Sequence, residues 1–312
     1  MTDSLLPDRH KQRDFFTCDI FDSFKDDLAS MEHPVFSLSK KPDHRMLEYE
    51  RNGTTIKIKP SYTGLATIFD KDILLYLASA LMSAKNSGEA ISQTVRFTSY
   101  DYIVSTNKSL GGTQYKLLKE GLERLNGTLI QTNIKTGAIE ETKEFGLIES
   151  WGIIKEDAKG KAIAIEVKLS DWFYNSILGN AVLTIDKDYF RLRKPTERRL
   201  YELARKHCGN QVAWKISLTK LKEKLGVTSQ MKLLRFNIKK ITETNHLPEY
   251  NISMEDDVVM FSRKEPLKEN NVPVGLSKYV TKNEIEKQAK PGESYKQAAS
   301  RIKRLKTALG KK

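Results

Sequence analysis

The sequence predicts an α+β chain made of two tandem winged-helix domains related as a pseudo-repeat. Two amphipathic helices carry the same apolar stripe: Tyr115, Leu118, Leu122 and Leu125 in one, and Met231, Leu234, Ile238 and Ile241 in the other. Both sets lie on one face of a helix of about 3.6 residues per turn, at the same spacing, as two copies of one unit would. Each of these helices follows a short helix and a tight loop, and each precedes two β-rich runs. The leading helices also echo each other, Leu75-Tyr76-Leu77-Ala78 against Leu200-Tyr201-Glu202-Leu203-Ala204. A stripe of this kind is common by itself, so an unrelated α+β fold is the alternative; the repeated order of elements is what favours the tandem reading.

In chain order, residues 1–15 are polar and read as a loose N-terminus. Short strands are expected at Val35–Leu38, Met46–Glu50 and Thr55–Lys59, the last two joined by Asn52-Gly53, a hairpin turn signal. A helix capped by Asp70 runs to about Ala84 through Ile73, Leu74, Leu77, Ala80 and Leu81. A second helix covers Thr98–Thr106, with Tyr102, Ile103 and Val104 inward. Gly111-Gly112 breaks the chain, and Thr113 opens a third helix that stops at Gly127. Strands at Thr128–Ile134 and Phe145–Ile154 flank a polar tip, KTGAIEETKE. Ile163–Leu169 alternates as a strand buried on one face, and Ser170 or Asp171 caps a helix at Trp172–Leu178.

The pattern then restarts. Thr196 is the expected cap of a helix over Glu197–His207; a helix at Leu218–Leu225 ends at Gly226; Thr228 or Ser229 opens a longer helix to about Asn245, and Pro248 blocks its continuation. Leu247–Ile252 and Val258–Phe261 form a ribbon around an acidic tip, Ser253–Asp257. The domains implied are 16–180 and 181–263, with a basic tail over 264–312. In that tail Ala298, Ala299, Ile302, Leu305 and Leu309 make a weak amphipathic pattern, and a loosely ordered solvated segment is the favoured reading.

The 312 residues are 39% hydrophobic and 30% charged, enough for genuine cores. Fifty-three Lys and Arg against 40 Asp and Glu leave a net charge of +13. Such a surplus asks for an anionic partner, nucleic acid first, or else marks a generic basic surface. Cys18 and Cys208 are too few and too far apart for a disulfide framework or a metal clip. The first residues hold no apolar signal core, and no run approaches the roughly 18 apolar residues of a membrane helix, so a bacterial cytoplasmic location without membrane contact is expected.

A winged helix presents its third helix to the major groove. In the second copy the outward positions and their flanks are Ser229, Gln230, Lys232, Arg235, Lys239 and Lys240, with a single carboxylate, Glu243, near the far end. Arginine suits a bidentate contact to guanine, glutamine to adenine, and lysines suit phosphates. A solvated amphipathic helix is the bland alternative. The first copy offers Thr113, Gln114, Lys116 and Lys119 but also Glu120 and Glu123, so phosphate contacts are expected to outnumber base contacts there. Between the copies, Arg191, Arg193 and Arg198 belong to a crowded basic segment expected to clamp phosphates or to pair with Glu197 and Glu202.

Catalysis is not expected. The chain lacks a G-x-x-x-x-G-K-[ST] phosphate loop, its five histidines form no metal-binding pair, and His207-Cys208 sits at a helix end where histidine more often caps. Neither cofactor nor metal is implied, although a nuclease or nickase is kept as a rival class.

Several long segments then resemble the plasmid replication initiators of the RepA class: KDDLASMEHPVFSLSKKPD at 26–44, PSYTGLATIFDKDILLYLAS at 60–79, TVRFTSYDYIVSTN at 94–107, LSDWFYNSI at 169–177 and DYFRLRKPTERRLYELARKHCG at 188–209. The likeness spans about 14–262. It implies tandem winged helices that bind repeated sites (iterons) in double-stranded origin DNA, and that recruit the host initiator protein and the replicative helicase. It also implies a homodimer in equilibrium with a monomer, a second domain that reads bases, a first domain that holds backbone and supplies the dimer face, and no catalytic residues. Leu233 and Leu234 depart from the more basic pattern of related iteron binders. A winged-helix transcriptional repressor with no role in initiation is the alternative function.

Overall fold

A computed structural model describes residues 17–19, 34–51, 54–86, 88–136, 139–155, 162–178, 183–209, 211–264, 280–281, 284 and 295–309. The loose N-terminus, the Asn52-Gly53 turn and most of the tail fall outside them. In chain order the elements are β1 (Thr17–Asp19), β2 (Leu47–Arg51), β3 (Thr54–Lys59), α1 (Lys71–Asn86), β4 (Thr94–Phe97), α2 (Ser99–Ser105), α3 (Gly112–Gly127), β5 (Leu129–Thr136), β6 (Ile139–Gly146), β7 (Ile148–Lys155), β8 (Ala162–Leu169) and α4 (Asp171–Leu178). They continue with β9 (Leu183–Ile185), a 3-10 turn at Lys187–Arg191, α5 (Pro195–His207), β10 (Ala213–Ser217), α6 (Leu218–Leu225), α7 (Met231–Thr244), β11 (Tyr250–Glu255), β12 (Val258–Arg263) and α8 (Tyr295–Leu309).

Two stretches share one arrangement. In the first, α1 is followed by β4, α2, α3, β7 and β8, and the sheet order is β4-β8-β7. In the second, α5 is followed by β10, α6, α7, β11 and β12, and the order is β10-β12-β11. Both sheets are antiparallel, and in both the last strand lies between the other two. The first stretch also carries an insertion. The hairpin β5–β6 joins the N-terminal β2–β3 hairpin in a four-stranded sheet, β2-β3-β5-β6.

That insertion corrects the expected ribbon. The polar segment KTGAIEETKE is mostly strand, pairing Thr136 with Ile139 and continuing to Leu129 with Gly146. The run 145–154 is divided at Leu147 between two sheets. The stretch Val35–Leu38 is not a strand but a single parallel bridge, Ser37 to Thr67. β8 is the central strand of its sheet. Its Ile165 and Val167 are buried, as the alternation requires, but the strand lies between β4 and β7 and offers no open ladder.

Local caps follow side-chain chemistry. Asp70 does not cap α1 alone: Thr67 Oγ1 accepts from the Asp70 amide at 3.3 Å while Asp70 Oδ2 accepts from the Thr67 amide at 2.7 Å. This is a reciprocal capping box, which satisfies two free amides at once. Thr98 caps α2 and Ser217 caps α6. α5 starts two residues earlier than expected because Pro195 occupies its first turn, where a missing N–H costs nothing. Thr196 is therefore inside the helix. α6 ends at Gly226, whose φ of 65° is left-handed. A Cβ there would also lie 2.3 Å from Pro34 Cγ, so the same glycine lets the N-terminal segment close on α6.

Two cores result. One gathers α1, α2, α3 and α4 around Ile56, Ile58, Leu74, Leu122, Leu125, Val167 and Phe173. The other gathers α5, α6 and α7 around Leu200, Leu203, Leu221, Ile238, Val259 and Phe261, and it includes Leu75 from α1. The predicted stripes are buried in both third helices, apart from Tyr115 and Met231, which are half-buried. In the tail, α8 buries Ala299 and Ile302, more order than the solvated segment expected there.

Candidate nucleic-acid interface

α7 is short of its expected start. It begins at Met231, with Gln230 as the capping residue and Thr228 and Ser229 in the preceding loop. Its buried stripe, Leu234, Ile238 and Ile241, presses on the second core and thereby turns Lys232, Arg235, Lys239 and Lys240 outward. Leu234 thus belongs to the core, whereas Leu233 is exposed. Gln230 is exposed and Ser229 half-buried. One cation is already engaged: Arg235 Nε donates to Asp257 Oδ1 at 2.7 Å, and its second nitrogen donates to Oδ2. These hydrogen bonds hold the Arg235 guanidinium above its ordinary pKa and the Asp257 carboxyl below its own. Asp256 and Asp257 form the β11–β12 turn, both at positive φ, and Asp257 also accepts through its carbonyl from the Leu218 amide at the start of α6. The β11–β12 turn is therefore tied to both α6 and α7.

In the first unit, Thr113, Lys116 and Lys119 are exposed on α3 and Gln114 is half-buried. Lys116 lies 3.8 Å from Glu120 and Lys119 4.0 Å from Glu123, one helical turn on. The carboxylates that argued against deep insertion of this helix thus lie beside its lysines. Gln114 and Leu117 also line a cleft of about 560 Å³ whose other walls include Lys40, Lys41, Phe69 and Arg193. Arg193 of the connector is brought to α3 in this way. Lys40 and Lys41 were not singled out from sequence; their signal, a lysine pair inside SLSKKPDHR, is too short to distinguish from a solvated turn.

Of the connector arginines, Arg193 is exposed, and Arg191 is half-buried, 3.5 Å from Asp188. Arg198 is not a phosphate clamp. Its side chain is 3% exposed, donates through Nε to the Leu192 carbonyl at 2.9 Å, and pairs with Asp72 of α1. The ring of Phe69 lies 4.6 Å from its guanidinium carbon. Around this pair Lys108 also reaches Asp72, at 2.6 Å, while Lys71 of α1 reaches Glu202 of α5, at 3.1 Å. Burial pushes the Glu202 carboxyl up, but Lys71 and Arg199 outweigh it and hold it below its ordinary value. The alternative role foreseen for this basic segment, pairing with its own acids, describes Lys194–Glu197 and Arg199–Glu202. Arg198 instead crosses to α1.

His207 stacks on Trp214, ring centroids 4.5 Å apart. Burial, reinforced by Lys224, Lys206 and Arg199, lowers its pKa to about 3. Among the described residues no cluster of three or more His, Cys, Asp or Glu is placed to hold a metal ion, and no helix is long and apolar enough to cross a membrane.

Comparison with known proteins agrees with this architecture. The chain is similar in fold to a crystal structure of domains 2 and 3 of RctB, with a TM-score of 0.56, 13% identity, and coverage of 76% of this chain and 97% of that one. A selenomethionine form of the same two domains gives a TM-score of 0.54 at 12% identity, covering 75% and 96%. In sequence, the chain is 43% identical over 267 residues to a protein of Wigglesworthia glossinidia brevipalpis named "Putative replication protein", covering 83% of this chain and 96% of that one. The family model described as Replication initiator protein A matches residues 25–252. With nearly three-quarters of its length matched by that model, the chain belongs to the replication initiator protein A family.

Proposed function

We propose that this protein initiates plasmid replication by binding repeated sites in duplex origin DNA through two tandem winged helices. The observation that carries the reading is the outward face of α7, where Lys232, Arg235, Lys239 and Lys240 stand with a single carboxylate, Glu243, on a helix that follows α6 and is flanked by the β11–β12 wing. A helix of that charge in that position suits the major groove and its phosphates. The equivalent helix α3 is balanced by Glu120 and Glu123, and in this reading it holds backbone. The likeness in strand order between the two units supports the pseudo-repeat.

Initiation in this reading proceeds by binding, opening of the origin and recruitment of the host initiator protein and helicase, without catalysis by the chain itself. A dimer in equilibrium with a monomer is part of the same proposal, but its contact surface is not the β8 ladder.

The test supplies the protein in trans to a plasmid that carries only the candidate repeats and their flanking origin. Maintenance of that plasmid, lost with Arg235→Ala, is the expected result. Tight binding of the repeats without replication would overturn the initiator reading in favour of a repressor. Purified protein is expected neither to hydrolyse ATP nor to nick supercoiled origin DNA with magnesium. Nicking that disappears on changing Asp188 or Glu197 would contradict the non-catalytic mechanism.

A further inference from the structure

The outward face of α7 is not uniformly polar. Opposite its buried stripe of Leu234, Ile238 and Ile241, a repeat of about 3.6 residues places Phe236 at the centre of the exposed side, with Leu233 one turn before it. Phe236 is 53% exposed and Leu233 52%. Single exposed apolar residues are ordinary. Here two adjoin on one helix face, and Lys232, Lys239 and Lys240 surround them. Lys240 Nζ lies 4.5 Å from the Phe236 ring centroid, which covers one part of the ring and leaves the rest open.

Charge decides what covers this pad. A second copy of a chain with net charge +13 would bring cations to a cationic face, whereas a polyanion is drawn to it. Within the major groove of a duplex, the apolar feature that a side chain can reach is the 5-methyl group of thymine, and phenylalanine is among the residues that pack on it. We infer that Phe236 and Leu233 form an apolar pad that reads thymine methyls, so that preferred sites carry thymine opposite the middle of α7. The inference rests on the duplex-binding reading above and adds the base feature that α7 selects. It also gives the departure at Leu233 a purpose: an apolar side chain there reads a methyl where a basic one would hold phosphate.

The test begins with duplexes enriched from a randomised library by the full-length protein. Each thymine of the enriched duplex is then replaced by deoxyuridine, which removes the 5-methyl group and keeps every hydrogen-bonding atom. Wild type is expected to bind about fourfold more weakly for each contacted methyl removed. Phe236→Ala is expected to bind the thymine and deoxyuridine duplexes alike, and Leu233→Ala to lose part of the difference. Both side chains are exposed, so thermal melting should match wild type, and neither change removes a charge, so the salt slope should not move. Equal binding of both duplexes by wild type would overturn the inference alone. So would a Phe236→Ala variant that keeps the full response to deoxyuridine, or one whose affinity is unchanged because the pad faces a protein. Enrichment of no duplex at all would instead overturn the duplex-binding reading, and the inference with it.

Discussion

At the scale of single residues, Arg235 and Asp257 pose a competition. The one arginine of α7, which the proposed function sets against a base edge, is already bidentate to Asp257 in the β11–β12 turn. An exposed pair of this kind is weak and screened by salt, so exchange of the carboxylate for a base edge is accessible. Asp257→Asn is expected to tighten duplex binding several-fold at low salt by freeing Arg235 and removing a negative charge near the phosphates. Arg235→Ala is expected to weaken it by roughly tenfold or more and to relax preference at one base position. Competition binding with single-base variants reads both effects. Weaker binding by Asp257→Asn would mean that the pair is itself the DNA-bound arrangement.

His207 gives a prediction in pH. Its folded pKa, about 3, lies below the ordinary value of about 6.5. Between those values the unfolded chain binds the extra proton and the folded chain does not, so this residue's contribution is complete above about pH 6.5 and is lost as pH falls towards 3. His207→Phe, which can keep the stack on Trp214, is expected to flatten the acid limb of urea stability between about pH 6.5 and 4. An unchanged limb would assign that loss of stability to other groups, such as the paired carboxylates.

Single-residue roles were the least legible part of the sequence. Arg198 sits in the basic run RLRKPTERR and reads there as one more surface cation. Its burial depends on Asp72, 126 positions away, and no local pattern carries that information. Leu233 and Leu234 are adjacent leucines with opposite fates, and only the helical phase fixed by Ile238 and Ile241 separates them.

At the scale of elements, amphipathic helices and the strands β2 and β3 were readable, and strands whose ladders are completed from far along the chain were not. α6 has the predicted bounds, and α3 agrees to within a residue, because their apolar periods and caps are local. β4 and β10 are four and five residues long and run straight into the next helix. They exist because β8 and β12, much later in the chain, complete their ladders. β6 reads as a polar tip for the same reason: its residues are mostly polar or charged, and pairing to β5 makes it a strand. The two third helices should differ in use as they differ in charge. Lys116→Ala and Lys119→Ala are expected to weaken all duplexes alike, and less than Arg235→Ala, since each lysine already neighbours a carboxylate one turn away. Loss of sequence preference from these changes would show that α3 also reads bases.

At the scale of the whole molecule, the joint between the units is a set of buried charges. Asp72 takes Arg198 from α5 and Lys108 from the loop after α2, and Lys71 takes Glu202. Such pairs contribute little net stability over apolar packing, but removing one member strands the others. Asp72→Ala is expected to cost about 3–5 kcal/mol in urea unfolding, by leaving Arg198 and Lys108 buried without their carboxylate. Removal of both charges in Asp72→Leu/Arg198→Met is expected to recover part of that loss. Additive losses would show that the two side chains do not act as a pair.

In the proposed function this protein holds duplex DNA by many phosphates and selects a sequence within it. Fluorescence anisotropy of the origin repeat and of a scrambled duplex, followed across a range of salt, tests it most directly. If the two units neutralise on the order of 6–10 phosphates, log K should fall against log salt with a slope of about −5 to −9 on both duplexes. The repeat should bind about a thousandfold or more tighter than the scrambled sequence at physiological salt. A slope shallower than about −2, or equal affinity for the two duplexes, would contradict the account.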